Sequence, residues 1–155
     1  YSGVKIMEEA LERGLHKARN RRRLQFALMW ANHPWADYFP APFGQKWNSW
    51  LPSRHSPSDW AGVMDYCVEH YFQQPNYWRV EGRLFFSLFE PLRLVRELGG
   101  ARAFRKILMA TQRRLLRKRL PPLHLNAMVW GEKDVDELKA AVATIDPDDL
   151  EDLVG

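Results

Sequence analysis

Cysteine is nearly absent from this chain: Cys67 is the single one in 155 residues. One thiol excludes an internal disulfide framework and any zinc site built from cysteines. Long hydrophobic runs are missing too. No stretch approaches the ~20 apolar residues that cross a bilayer as a helix, and no signal-peptide pattern is present, so the compartment stays open. The chain starts at Tyr1 rather than Met, which leaves room for a leader or a longer upstream segment. No Gly-rich phosphate loop follows a candidate strand. Gly99-Gly100 stands ahead of a helix but after no strand, so nucleotide binding has weak support. His16, His33, His55, His70 and His124 lack metal-site spacing, and neither a metal nor another cofactor is expected.

What is there in excess is tryptophan, seven residues. Indoles are large and costly to expose, which calls for a deep core or an aromatic-lined cleft. The formal charge of +4 hides an asymmetry. Arg19, Arg21, Arg22 and Arg23 form one basic knot, and Arg113, Arg114, Arg117, Lys118 and Arg119 another, whereas the stretch from Glu132 onward turns acidic. Such knots can bind nucleic acid. Their position just ahead of candidate strands favours a solvated face at the end of a parallel sheet away from its active end, and nucleic acid is not the expected partner.

Residues 4–18 place Val4, Met7, Leu11, Leu15 and Ala18 at helical spacing. An apolar run, roughly Leu24 to Ala31, then reads as a strand buried on both faces and ends abruptly in Asn32-His33-Pro34-Trp35. The segment from His33 to about His55 holds Pro34, Pro40, Pro42 and Pro52 among six aromatic residues, and is expected to be a long irregular loop over the active face. Ser56-Pro57-Ser58-Asp59 is a helix start, and Trp60, Val63, Met64, Cys67, Val68, Tyr71 and Phe72 form its core stripe. That stripe makes Cys67 a packing residue rather than a catalytic thiol. A Glu81-Gly82 turn leads into a second strand closing on Glu90-Pro91. Helix follows from about Leu92 to Leu120, with a break expected at Gly99-Gly100, then a third strand from Leu123 to Val129 and a last helix from Asp134 to about Thr144. This alternation is the α/β signature with a parallel sheet.

Side chains repeat every two residues along a strand, so Trp30 shares a face with Asn32, Leu88 with Glu90, and Asn126 with Met128 and Trp130. If the polar strand ends point inward, Asn32, Glu90, Asn126 and Trp130 surround one opening suited to a polyhydroxylated ligand. Trp30 and Trp35 are candidates to stack on sugar rings, His33 adds an imidazole, and Glu90, the acid at a strand C-terminus, is the candidate for a catalytic role, for a contact to sugar hydroxyls or for a pairing with Arg93.

Trp30-Ala-Asn-His-Pro-Trp35, His70-Tyr-Phe-Gln-Gln-Pro-Asn-Tyr-Trp-Arg-Val-Glu-Gly-Arg83 and Phe86-Ser-Leu-Phe-Glu-Pro91 together resemble the glycoside hydrolase family 99-like, or WbsX-like, domain. The likeness runs in order across about residues 24–131. It implies a (β/α)₈ TIM barrel acting on α-linked mannose or related glycans, by endo-cleavage with retention, or else glycosyl transfer in surface-polysaccharide assembly. A full barrel takes roughly 250 residues, so 1–155 is expected to be part of one barrel domain, about three parallel strands with flanking helices. The family's catalytic carboxylates lie on a later strand, in an Asn-Glu-Trp-like segment that this chain lacks. His33 stands where many relatives have Glu, and Arg83-Leu84 replaces Lys-Pro. The implied partner is an oligosaccharide or polysaccharide. Open sheet edges further call for missing flanking segments or self-association.

Overall fold

The computed structural model describes residues 5, 8–36, 44, 49–51, 54–131, 133, 135 and 136. Three parallel strands organise them. β1 (Leu28–Trp30) is followed by a short antiparallel pair, β2 (Trp35–Ala36) and β3 (Ser49–Leu51), and by α1 (Pro57–His70). The hairpin of β4 (Arg79–Val80) and β5 (Arg83–Leu88) comes next, then α2 (Pro91–Glu97), α3 (Ala101–Arg117) and β6 (Leu123–Ala127). β5 is central, with β1 parallel on one side and β6 parallel on the other. β4 pairs antiparallel with the start of β5, so the sheet is mixed. Strands consecutive among the parallel three are neighbours in space, each joined to the next through helix.

Register separates the two faces. Leu28, Phe86 and Leu125 lie in one row, and Trp30, Leu88 and Ala127 in the next row on the same side. This side meets the helices: Leu84, Phe86 and Leu88 are 0–1 % exposed and pack with Trp60 and Met64 of α1 and Leu115 of α3. Each such side chain contributes about 1.5–3 kcal/mol by leaving water. The opposite side carries Phe85, Ser87, His124 and Asn126, with Met29 of β1 half exposed beside them. Parallel sheets are normally covered on both faces. Among the described residues the helices cover one face, while on the other Ser87 is buried and Phe85, His124 and Asn126 are partly exposed.

The helices start and stop for local reasons. The Ser56 hydroxyl accepts from the Asp59 amide while the Asp59 carboxylate accepts from the Ser56 amide at 2.7 Å, a complete capping box with Pro57 in the first turn. Burial alone would raise the Asp59 pKa, but these bonds outweigh it and lower the value. Between α2 and α3 the chain turns at Gly99 and Gly100, both at positive φ, a conformation that costs side-chain-bearing residues energy. α1 and α3 are joined inside the core by the Trp60 indole, which donates to Thr111 Oγ1 at 2.8 Å; the Thr111 hydroxyl donates in turn to the Ile107 carbonyl.

Several expectations need correction. The N-terminal stretch is helical over residues 8–17, as expected, but it is not a regular α-helix: a π-helical turn, Ala10–Gly14, passes into a 3₁₀ turn, Leu15–Lys17. Gly14 weakens the regular helix, and the wider turn sets Glu12 against the hydroxyls of Tyr66 and Tyr71 while Leu11 and Leu15 still pack on the core. The first strand is shorter than its apolar run; Phe26 joins only by a bridge to Tyr77. The proline-rich segment is not wholly irregular, since β2 and β3 pair within it across a register shift. Its aromatic tip, Val4, Met7 and most of the last helix lie outside the described residues.

Candidate functional site

The C-terminal ends of the parallel strands gather an aromatic row. Trp35 stacks on His33, with centroids 6.1 Å apart and planes 9° from parallel. His33 meets Phe89 at 5.0 Å, and Phe89 meets Trp130 edge-on at 5.2 Å. The row thus runs from the segment after β1, past the end of β5, to the segment after β6. His33 Nδ1 lies 2.9 Å from the Pro34 carbonyl, a bond that requires the proton on Nδ1. Trp130 is 66 % exposed.

Beside Trp130 opens a cleft of about 270 Å³, bounded by Glu90, Arg93, Arg96 and Met128 with the start of α2. Glu90 sits at the junction of β5 and α2, and Pro91 fixes the first helical position. Its carboxylate does not cap the helix and instead reaches Arg93 Nη1 at 3.5 Å. Arg93 Nε donates to Glu97 Oε1 at 2.8 Å, and the other Glu97 oxygen is 2.6 Å from His55 Nδ1 and accepts from the His55 amide at 3.0 Å. The result is a chain of polar contacts, from Glu90 through Arg93 and Glu97 to His55, tying the start of α1 to the cleft. Burial opposes ionisation of Glu97, yet the bonds from Arg93 and His55 outweigh it and hold its carboxyl below the usual range. Burial pushes His55 down from the ordinary imidazole value, against the pull of Glu97.

Asn32 has a different place from the expected one. It is 1 % exposed, and its side chain makes a two-point bridge: Nδ2 donates to the Glu90 carbonyl at 2.8 Å, and Oδ1 accepts from the Glu90 amide at 2.8 Å. An amide side chain here does what a further residue of β1 would do, extending the pairing to β5 by one step. Asn32 therefore fixes where Glu90 stands. Trp30 turns to the helix side, its ring 4.7 Å from His55 and 6.0 Å from Trp60, and belongs to the core rather than the opening. Asn126 lies on the other face, donating to the Ser87 hydroxyl at 2.9 Å. Glu90 and Trp130 are thus brought together with His33 and Trp35 along one rim, while Trp30 and Asn126 point to opposite sides of the sheet.

Sequence reading missed Phe89, which joins His33 to Trp130, and missed Arg96 as a cleft wall, while the pairing of Glu90 with Arg93 is as expected. Phe89 read as the end of an apolar strand. The signal for Arg93 was its position three residues after Glu90 on a helix, where side chains meet. Cys67 is buried in the stripe of α1, and burial pushes its thiol up to about 12, as expected of a packing residue. Among the described residues no cluster of His, Cys, Asp or Glu is arranged to hold a metal ion, and no helix is long and apolar enough to cross a membrane.

With this geometry in place, comparison with known proteins adds one relation. A family model described as glycosyltransferase WbsX matches residues 1–142. No curated protein and no solved structure matches the chain.

Proposed function

The chain belongs to the glycosyltransferase WbsX family, a carbohydrate-active group, and on that footing we propose that its aromatic row and Glu90 bind an oligosaccharide at the open end of a (β/α)₈-type domain. The observation that carries this reading is the run Trp35, His33, Phe89 and Trp130 along the strand ends, with a carboxylate beside it. A pyranose ring presents an apolar C–H face to an indole and hydroxyl groups to a carboxylate. Such a row offers both over several sugar units. The sequential order of the three parallel strands, with helices on one face and a half-exposed Met29 on the other, is what a sector of a barrel would look like.

The substrate class proposed is an α-linked mannose-type glycan, on the resemblance of the motifs. Hydrolysis with retention would need a second carboxylate about 5–5.5 Å from the first. Among the described residues Glu90 is the one acid lining the cleft. We therefore assign this chain the binding part of the reaction, with Glu90 a ligand contact rather than a complete acid–base pair. Glycosyl transfer is the second reading, favoured by the description of the matching family. Incubating the protein with oligosaccharide in the presence and absence of an activated sugar donor separates the two: a lengthened product requires transfer, a shortened one hydrolysis.

Manno-oligosaccharides are expected to change the tryptophan fluorescence saturably. Trp130→Ala and Glu90→Gln are each expected to weaken binding roughly tenfold, equivalent to about 1.4 kcal/mol. If both variants bind as tightly as the parent, the sugar does not sit on this rim and the assignment is withdrawn.

A further inference from the structure

The opposite end of the sheet has a chemistry of its own. Every parallel strand begins there, and each beginning is basic. Arg22 and Arg23 lead through Leu24 toward β1, Arg83 opens β5, and Lys118 and Arg119 turn the chain from α3 toward β6. Arg79 adds to them from β4, which pairs with the first residues of β5. The pairing of Leu84 with Leu123, and the bond from the Leu84 amide to the Pro122 carbonyl, bring the starts of β5 and β6 side by side. The Asn76 side chain, just ahead of β4, donates to the carbonyls of Arg21 and Leu24 at 3.0 and 2.9 Å, and so draws the first arginine knot in beside the hairpin. These cations are exposed, and none is in an ion pair among the described residues. Among the described residues, exposed acids near these cations include Glu81 in the hairpin turn and Glu69 in the last turn of α1, the latter beside His70, while Glu9 of the N-terminal turn pairs with Arg13.

A row of like charges at strand spacing repels itself and builds a positive potential over the whole end. Apolar side chains are set among them. Leu24 follows Arg23 and is 58 % exposed; Leu116 precedes Arg117 and is 61 % exposed; Trp78 precedes Arg79 and is 41 % exposed. Half of the large exposed hydrophobic residues among those described thus stand next to a cation of this rim. Nucleic-acid phosphates would satisfy the arginines but give the two leucines nothing. A bilayer interface satisfies both, since headgroup phosphates meet the cations while leucine and tryptophan enter the layer beneath them.

We propose that the strand-start end of this protein docks on an anionic lipid surface, which turns the aromatic row and its cleft toward water. This goes beyond the carbohydrate reading and does not depend on it. The arginine and lysine stems lie along the interface with their charged heads at the phosphates.

The test is co-sedimentation of the intact chain with vesicles of phosphatidylcholine containing phosphatidylserine, against phosphatidylcholine alone. Partitioning is expected to favour the anionic vesicles at least tenfold and to fall steeply as salt is raised. The quadruple variant Arg22→Glu, Arg23→Glu, Lys118→Glu, Arg119→Glu is expected to lose that preference. Leu24→Ser with Leu116→Ser leaves every charge in place and is expected to reduce binding about fivefold, following the lost apolar burial. Equal partitioning to both vesicle types overturns the proposal. So does serine-variant binding equal to the parent's together with displacement from vesicles by duplex DNA or RNA, which would make the end a phosphate surface for nucleic acid.

Discussion

Asn32 shows how much one side chain can do when its hydrogen bonds run to backbone. Its carboxamide satisfies both polar groups of the Glu90 peptide, 58 residues away, in a place nearly closed to solvent. Asn32→Ala leaves the Glu90 amide without its acceptor in a site with little room for replacement water, whereas the Glu90 carbonyl keeps the bond from the Leu94 amide at 3.1 Å. One such unsatisfied group costs about 1–3 kcal/mol, and a loss of that size in urea unfolding is expected. The same variant is expected to weaken oligosaccharide binding, because Glu90 loses its anchor at the head of α2. A stability change within experimental error would mean that the bridge contributes nothing net.

At the scale of elements, the β4–β5 hairpin is a strained junction. Glu81 and Gly82 both have positive φ, 50° and 77°, as a tight two-residue hairpin turn of this hand requires. Glycine adopts that geometry freely; a glutamate does not, and strain of about 1 kcal/mol is stored there. Asparagine tolerates the conformation, so Glu81→Asn is expected to raise stability by roughly 0.5–1 kcal/mol. Removal of a negative charge between Arg79 and Arg83 works against part of that gain. A thermal unfolding midpoint that falls would show that the charge matters more than the backbone. The junction of α3 with β6 likewise sets a side-chain-bearing residue, Arg119, at a positive φ of 58°, whereas the others are matched to their residues: a full capping box at α1, Pro91 at the first position of α2, and Gly99-Gly100 between α2 and α3.

The molecule as a whole is set to lose stability on acidification in two stages. His16 and His55 are both held below the ordinary imidazole value by burial, with Glu12 and Glu97 respectively pulling the other way. The unfolded chain therefore takes up these protons first. Their contribution is complete above the unfolded value of 6.5 and declines as pH falls through it. The lowered carboxylates act later. Glu12 is held down chiefly by the Tyr66 hydroxyl; in Glu97 and Asp59 burial is overcome by hydrogen bonds. Their contribution is present above the unfolded carboxylate values and disappears as pH drops through the lower folded ones. Urea midpoints followed from neutral pH downward are expected to fall in both ranges. His16→Phe is expected to flatten part of the upper one, since His16 packs against the rings of Phe26 and Tyr71 and its buried Nε2 has no hydrogen-bond partner among the described residues. An unchanged upper slope in that variant would remove His16 from the account.

Much of this molecule was legible in its sequence because the determinants are local. Strand-length apolar runs, the Ser56-Pro57-Ser58-Asp59 start, the Gly99-Gly100 break and the core stripe of α1 each depend on residues within a turn or two of one another. The likeness of three motifs likewise identified the family, because motif order survives in the linear chain. What only the tertiary structure decided depends on strands and helices meeting across long separations. Register set Trp30 on the helix side and Asn126 on the other, and alternation within a single strand could not tell which face was which. The bond between Asn32 and Glu90, the chain of contacts from His55 through Glu97 and Arg93, and the place of Phe89 between His33 and Trp130 arise only when β1, β5 and β6 lie side by side. Pairing between strands is a long-range contact, and a sequence shows the partners without showing that they touch.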